Sequence, residues 1–117
     1  MKAIIEVNRK GSVFNVARAQ IREAKRGREP DYHLSFESAR TLFAELTPAR
    51  LDLLNTLRGM GQSSVYALAK VAGRNYSNVH ADIARLIDLG LVERNGDNAV
   101  EVKCDTVEIR MELAQAA

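Results

Sequence analysis

Between Ser63 and Arg94 the chain reads SSVYALAKVAGRNYSNVHADIARLIDLGLVER, and few folds accommodate that punctuation. Ser63 or Ser64 can cap a helix by accepting a bond from a free backbone N–H of the first turn. Val65, Leu68, Ala69 and Ala72 then recur at helical spacing. Gly73 permits a sharp turn, because glycine takes a left-handed backbone at low cost. Ser77 is placed to cap a second helix, whose stripe of Val79, Ile83, Leu86 and Ile87 ends at Gly90. Leu91 and Val92 begin a strand. Asn95-Gly96-Asp97-Asn98 reads as a hairpin turn. Val100, Val102 and Cys104 alternate with Glu101, Lys103 and Asp105 as the return strand.

Two helices joined by a tight turn and followed by a hairpin predict a winged helix-turn-helix. The expected fold class is α+β, with the winged domain over residues 38–105. Upstream, residues 1–37 read as a strand-helix-strand extension that serves dimerisation. Its strands are residues 2–7 and 32–36. Its helix is capped by Ser12 and striped by Val13, Val16, Ala17, Ile21 and Ala24. Residues 38–46 form a helix with Leu42, Phe43 and Leu46 inward. Thr47-Pro48 starts another, because threonine caps well and proline suits the first helical position. That helix buries Leu51, Leu54 and Leu57, helped by Leu53, and ends at Gly59 and Gly61. Over residues 106–117, Val107, Ile109, Met111 and Leu113 alternate with charged residues, which indicates a C-terminal strand. An exposed apolar edge invites aggregation. The strand is therefore expected to pair with the N-terminal strand or with one from a partner subunit.

Of 117 residues, 46% are hydrophobic and 27% charged, as in a globular domain with its own core. No apolar run approaches the ~20 residues that span a bilayer, and MKAIIEVNRK lacks the pattern of a secretory signal. The single Cys104 has no internal disulfide partner. These features favour the cytoplasm, with no membrane association. The net charge is +2, yet residues 9–28 carry seven positive side chains against Glu23. That basic segment reads either as an electrostatic footprint for nucleic acid or as a solvated helix face.

A recognition helix needs one apolar face for its own domain and one face of short polar or basic side chains for base edges. With Val79 at the origin and about 100° per residue, Asn78, Ala81 and Arg85 point away from the buried stripe. Ser77 and Asp82 lie beside them and His80 at the flank. Asn78 suits adenine, and Arg85 suits guanine or a phosphate. Asp82 either accepts from cytosine or orients Arg85 or a cap. Ser63, Ser64, Arg74, Asn75 and Tyr76 sit where a phosphate backbone can pass. The wing offers Arg94 and Asn95, while Asp97 at its tip repels phosphate. Tyr66 and Tyr76 read as core-edge packing.

The segment from Leu46 to Arg94 resembles winged helix-turn-helix regulators of the MarR and ArsR type. SNVHADIARLIDLGLVER, from Ser77 to Arg94, is similar to their recognition helix and first wing strand. The fuller string FESARTLFAELTPARLDLL…VYALAKVAGRNYSNVHADI looks closer to a family of short predicted bacterial and archaeal regulators, over roughly residues 34–113. The resemblance implies a homodimeric repressor that binds double-stranded DNA. Members are often encoded beside a small toxin-like protein, which implies, as an alternative, an antitoxin that binds that protein and autoregulates. Ala81 stands where such relatives often carry a basic residue, and the long dimerisation arms of MarR proteins are not evident. No Cys-x-Cys or favourable spacing of Cys104, His33 and His80 points to a metal site, and no cofactor is expected. No phosphate-cradling glycine loop, nucleophile motif or histidine-carboxylate set suggests an enzyme.

Overall fold

The computed structural model describes residues 1–7 and 30–114. The basic helix expected between Ser12 and Gly27 lies outside the described residues. In chain order the elements are β1 (Lys2–Val7), β2 (Tyr32–Phe36), α1 (Ala39–Glu45), α2 (Pro48–Met60), α3 (Val65–Ala72), α4 (Tyr76–Asp88), β3 (Glu93–Asn95), β4 (Ala99–Glu101) and β5 (Thr106–Met111). The chain forms two compact units. One comprises residues 1–45 with 106–117, and the other residues 46–105.

The first unit is built on a sheet of order β2-β1-β5, and both pairings are parallel. A central strand of a parallel sheet is covered on both faces, so it reads as an unbroken apolar run. Ala3, Ile4 and Ile5 meet that demand at 1%, 5% and 0% exposure. The register sorts the side chains. Ala3, Ile5 and Val7 share a face with Tyr32, Leu34 and Phe36 on one side and with Val107, Ile109 and Met111 on the other. The opposite face carries Lys2, Glu6, His33, Ser35, Glu108 and Arg110 around Ile4. There His33 Nδ1 lies 3.5 Å from Glu6, and Lys2 Nζ lies 3.3 Å from Glu108. The C-terminal strand thus pairs with the N-terminal one, the first of the two options its alternation allowed. Helix α1 buries Leu42, but Phe43 is 53% exposed rather than inward. Two turns of helix bury one narrow stripe, and Leu42 occupies it.

The second unit is the three-helix and hairpin arrangement of a winged helix-turn-helix. Thr47 Oγ1 accepts from the Arg50 N–H at 3.2 Å and Pro48 opens α2. The helix runs through Gly59 and stops at Gly61, which closes it with N–H bonds to the Leu57 and Arg58 carbonyls. Leu53, Leu54 and Leu57 face inward, joined by Leu68, Val79, Ile83, Leu86, Leu91, Val92 and Val100. Each such side chain contributes about 1.5–3 kcal/mol by leaving water.

The hairpin β3–β4 is antiparallel, with Arg94 opposite Val100 and Asn95 opposite Ala99. It is shorter than its alternation suggested. Leu91 and Val92 precede the strand, because their N–H groups reach back to the Leu86 carbonyl and finish α4 instead (3.0 and 3.3 Å). Val102 and Cys104 follow the return strand and are buried. There Arg58 Nη1 donates to the Val102 and Lys103 carbonyls. Ser63 and Val100 exchange two backbone bonds of 3.1 and 2.8 Å, which tie the hairpin to the entry of α3. No helix among the described residues is long and apolar enough to cross a membrane.

Candidate nucleic-acid interface

The interface is built from α3, the turn at Gly73, α4 and the hairpin. Ser64 caps α3, its hydroxyl accepting from the Ala67 N–H at 3.0 Å. At the other end Gly73 sits at φ +66°, ψ +33°, and the Arg74 N–H returns to the Ala69 carbonyl at 3.1 Å. No heavy atom lies within 4 Å of where a Cβ on Gly73 would stand, so the requirement there is conformational and not steric crowding. Gly73→Ala is expected to cost roughly 1–2 kcal/mol for the left-handed backbone alone. The check is urea unfolding, with the midpoint lowered and the slope unchanged.

Helix α4 begins two residues earlier than a Ser77 cap implies and is capped by Asn75. Asn75 is extended at φ −61°, ψ 132°, and its Oδ1 accepts from the N–H groups of both Ser77 (2.9 Å) and Asn78 (3.3 Å). A carboxamide at this position satisfies two of the helix's orphan donors. Ser77 then lies within the first turn, its side chain exposed.

The two faces of α4 separate cleanly. Val79, Ile83 and Leu86 are 0–1% exposed. Ser77, Asn78, His80, Ala81 and Ala84 are exposed, and Arg85 is half-exposed, 3.8 Å from Asp88. Asp82 stands between the faces. Its Oδ1 accepts from Arg50 Nε at 3.0 Å and its Oδ2 from Arg74 Nη2 at 2.9 Å. Burial pushes this carboxyl upward. The hydrogen bonds and charges of the two guanidiniums outweigh that and hold it below the ordinary carboxylate value. Asp82 therefore joins α2, the turn and α4 through two part-buried ion pairs, and Arg74 is tied to it. The sequence suggested base contact or orientation of Arg85 for Asp82. The geometry has it orient Arg50 and Arg74 instead.

Tyr66 and Tyr76 are 59% and 48% exposed, so they are not core-edge residues. Their rings lie 6.4 Å apart, Tyr76 is 5.8 Å from the His80 ring, and Lys70 Nζ sits 4.9 Å from the centre of the Tyr66 ring. Together they form an exposed aromatic and cationic ridge running from α3 onto α4. Lys70 was not picked out from the sequence, and Tyr66 was read there only as core-edge packing. The available signal was that both lie off the stripe of Leu68 and Ala69. A cleft of about 290 Å³ lies beside the ridge, lined by Ser64, Tyr66, Tyr76, His80 and Ala84 together with Arg94 and Asn98 of the hairpin. Arg94 is exposed at its rim. Asn95 Nδ2 donates to Glu101 across the hairpin, which braces the wing. Cys104 is buried, and that burial raises its thiol above the ordinary value. No group of three or more His, Cys, Asp or Glu among the described residues could hold a metal ion.

A family model described as HVO_A0114 matches residues 45–109, which is more than half of the chain. No curated protein matches it. Among solved structures it is similar to the homodimeric winged helix-turn-helix DNA-binding domain of Mb0332 from Mycobacterium bovis, described as a possible ArsR-family transcriptional regulator. Identity is 26%, covering 57% of this chain and 73% of that one, with a TM-score of 0.43. It is also similar to the crystal structure of a possible transcriptional regulatory protein from the same organism. Identity is 24%, covering 80% and 81% of the two chains, with a TM-score of 0.46.

Proposed function

The chain belongs to the HVO_A0114 family, and from that premise we propose that it is a sequence-specific DNA-binding transcriptional regulator, a repressor acting as a homodimer. The observation that carries this reading is α4 itself. It has a fully buried apolar stripe, an opposite face of short polar and small side chains, and a braced hairpin beside it.

In this reading α4 enters the major groove. Asn78 pairs with adenine through its carboxamide, and Arg85 takes guanine or a phosphate. Ala81 and Ala84 are short enough to let the helix approach and to meet thymine methyl groups. Ser77, Tyr76 and His80 line the same approach. Ser64 and Arg94 flank it on the phosphate side. Arg74, Asn75, Asp82 and Asn95 act indirectly: they hold the turn, the helix start and the wing in place.

Residues 46–105 carry seven Lys or Arg and seven Asp or Glu, so this unit has no net charge of its own. Affinity for a polyanion then rests on the placement of its cations, on the basic segment of residues 9–28, and on pairing two copies across half-sites about 34 Å apart.

The test is a gel shift of the full chain with its own upstream DNA, against scrambled DNA, at several salt concentrations. A specific, salt-sensitive band is expected. Asn78→Ala is expected to reduce specific affinity by about 10–100-fold, leaving nonspecific binding and the salt slope unchanged. Absence of a specific band at moderate salt defeats the proposal.

A further inference from the structure

We propose that β5 is the dimerisation edge of this molecule and takes β5 of a second copy, antiparallel, with the two-fold axis through Ile109. The inference rests on the homodimeric reading above and gives it an interface.

β5 is bonded to β1 on one side and, among the described residues, to no strand on the other. An open strand edge is a row of unpaired N–H and C=O groups ready to template another strand. Neither glycine nor proline interrupts residues 106–113. The apolar face of the sheet also runs out uncovered at this edge: Ile109 is 40% exposed, Met111 51% and Leu113 79%.

The sequence of the strand selects a second copy as the occupant, and the charges select the register. Directly opposed residues of an antiparallel pair share a face, and like charges placed opposite each other destabilise it. An axis through Ile109 sets Glu108 against Arg110 of the partner subunit and Arg110 against Glu108 of the partner subunit. Val107 then meets Met111 of the partner subunit, and Ile109 meets its own copy. Within β5 every apolar residue finds an apolar one, and every contact between Glu108 and Arg110 is attractive. Moving the axis to Glu108 opposes two glutamates. Moving it to Arg110 opposes two arginines. An axis between residues sets isoleucine against a charge, and one through Met111 matches Arg110 with Glu112 but needs residues beyond Met111, where β5 ends. Within one chain Arg110 Nη2 already lies 2.8 Å from Glu108, so the two-fold creates a ring of alternating charges. Such self-complementarity is what an isologous interface requires. The result is one continuous sheet with β5 and its copy at the centre.

The experiment combines light scattering with cysteine cross-linking of the full chain carrying Cys104→Ala. Wild type is expected to be a dimer. Ile109→Cys should cross-link under mild oxidation, because the two Cβ atoms face each other at the axis. Glu108→Cys and Arg110→Cys should fail alone, their own copies lying diagonally apart, and should cross-link when mixed. Glu108→Arg and Arg110→Glu should each weaken the dimer about tenfold, and the double exchange should recover most of it. A monomer overturns the inference. So does a dimer indifferent to both sets of changes, or a different protein seated on β5. A dimer of the second kind that still shifts operator DNA leaves the proposed function standing. A cross-linked dimer that binds no DNA leaves the interface standing and removes the function.

Discussion

Asp82→Ala is expected to lower stability by about 2–4 kcal/mol, an unusually large effect for a polar residue on the proposed recognition helix. Removing one partner from a part-buried ion pair leaves its counter-charge poorly compensated, and here both Arg74 and Arg50 lose their contact with the carboxylate. The side chains of Asp82, Arg50 and Arg74 are 16%, 20% and 31% exposed, so water relieves only part of that penalty. Asp82→Asn keeps the shape and one acceptor and is expected to cost less. The pH dependence has a definite sign. A carboxylate held below its ordinary value stabilises the native state only while ionised. Its contribution is therefore complete above the unfolded value near about 3.9 and fades as pH falls through the lower folded value. Wild type should lose stability along this acid limb, and Asp82→Ala should show a flatter one. Urea titrations at several pH values measure both. An unchanged midpoint at neutral pH would refute the bridging role.

The second large effect belongs to the buried face of the same helix. Leu86 is fully enclosed, and its carbonyl accepts the N–H groups of Leu91 and Val92 that close α4. Leu86→Ala removes three carbons from a packed site. It is expected to cost about 2–4 kcal/mol, lowering the melting temperature by roughly 10 °C. Asn78→Ala, eight residues earlier on the exposed face, should leave the melting temperature nearly unchanged while lowering specific DNA affinity about 10–100-fold. Calorimetry and gel shifts on the pair separate the helix that folds from the helix that reads. Equal stability losses in both variants would contradict the two-faced assignment.

Much of this architecture was legible because it is dictated locally. Thr47 and Ser64 as caps, Gly73 as the turn and the Val79-Ile83-Leu86 stripe each follow from a residue and its immediate neighbours. The failures share a cause as well. Choosing Asn75 over Ser77 depends on which side chain reaches two N–H groups at once, and both residue types are good caps. Phe43, Tyr66 and Tyr76 are apolar enough to suggest burial, but exposure is decided by what packs against them. The Asp82 bridge joins residues 32 and 8 positions apart in sequence, beyond the reach of any periodicity. The alternation of residues 107–113 announced a strand, but not that it would lie parallel to β1.

That pairing of β1 with β5 has a temporal consequence. About a hundred residues separate the two strands in the chain, and at ~5–20 residues per second a ribosome needs roughly 5–20 seconds to make that stretch. For all that time Ala3, Ile4 and Ile5 lack a neighbour on one flank, while every contact of the unit at 46–105 lies within sixty residues. That unit can therefore complete itself on the nascent chain. The unit that holds the proposed pairing edge closes only afterwards, so newly made copies complete the proposed reading helix before the proposed edge through which they associate.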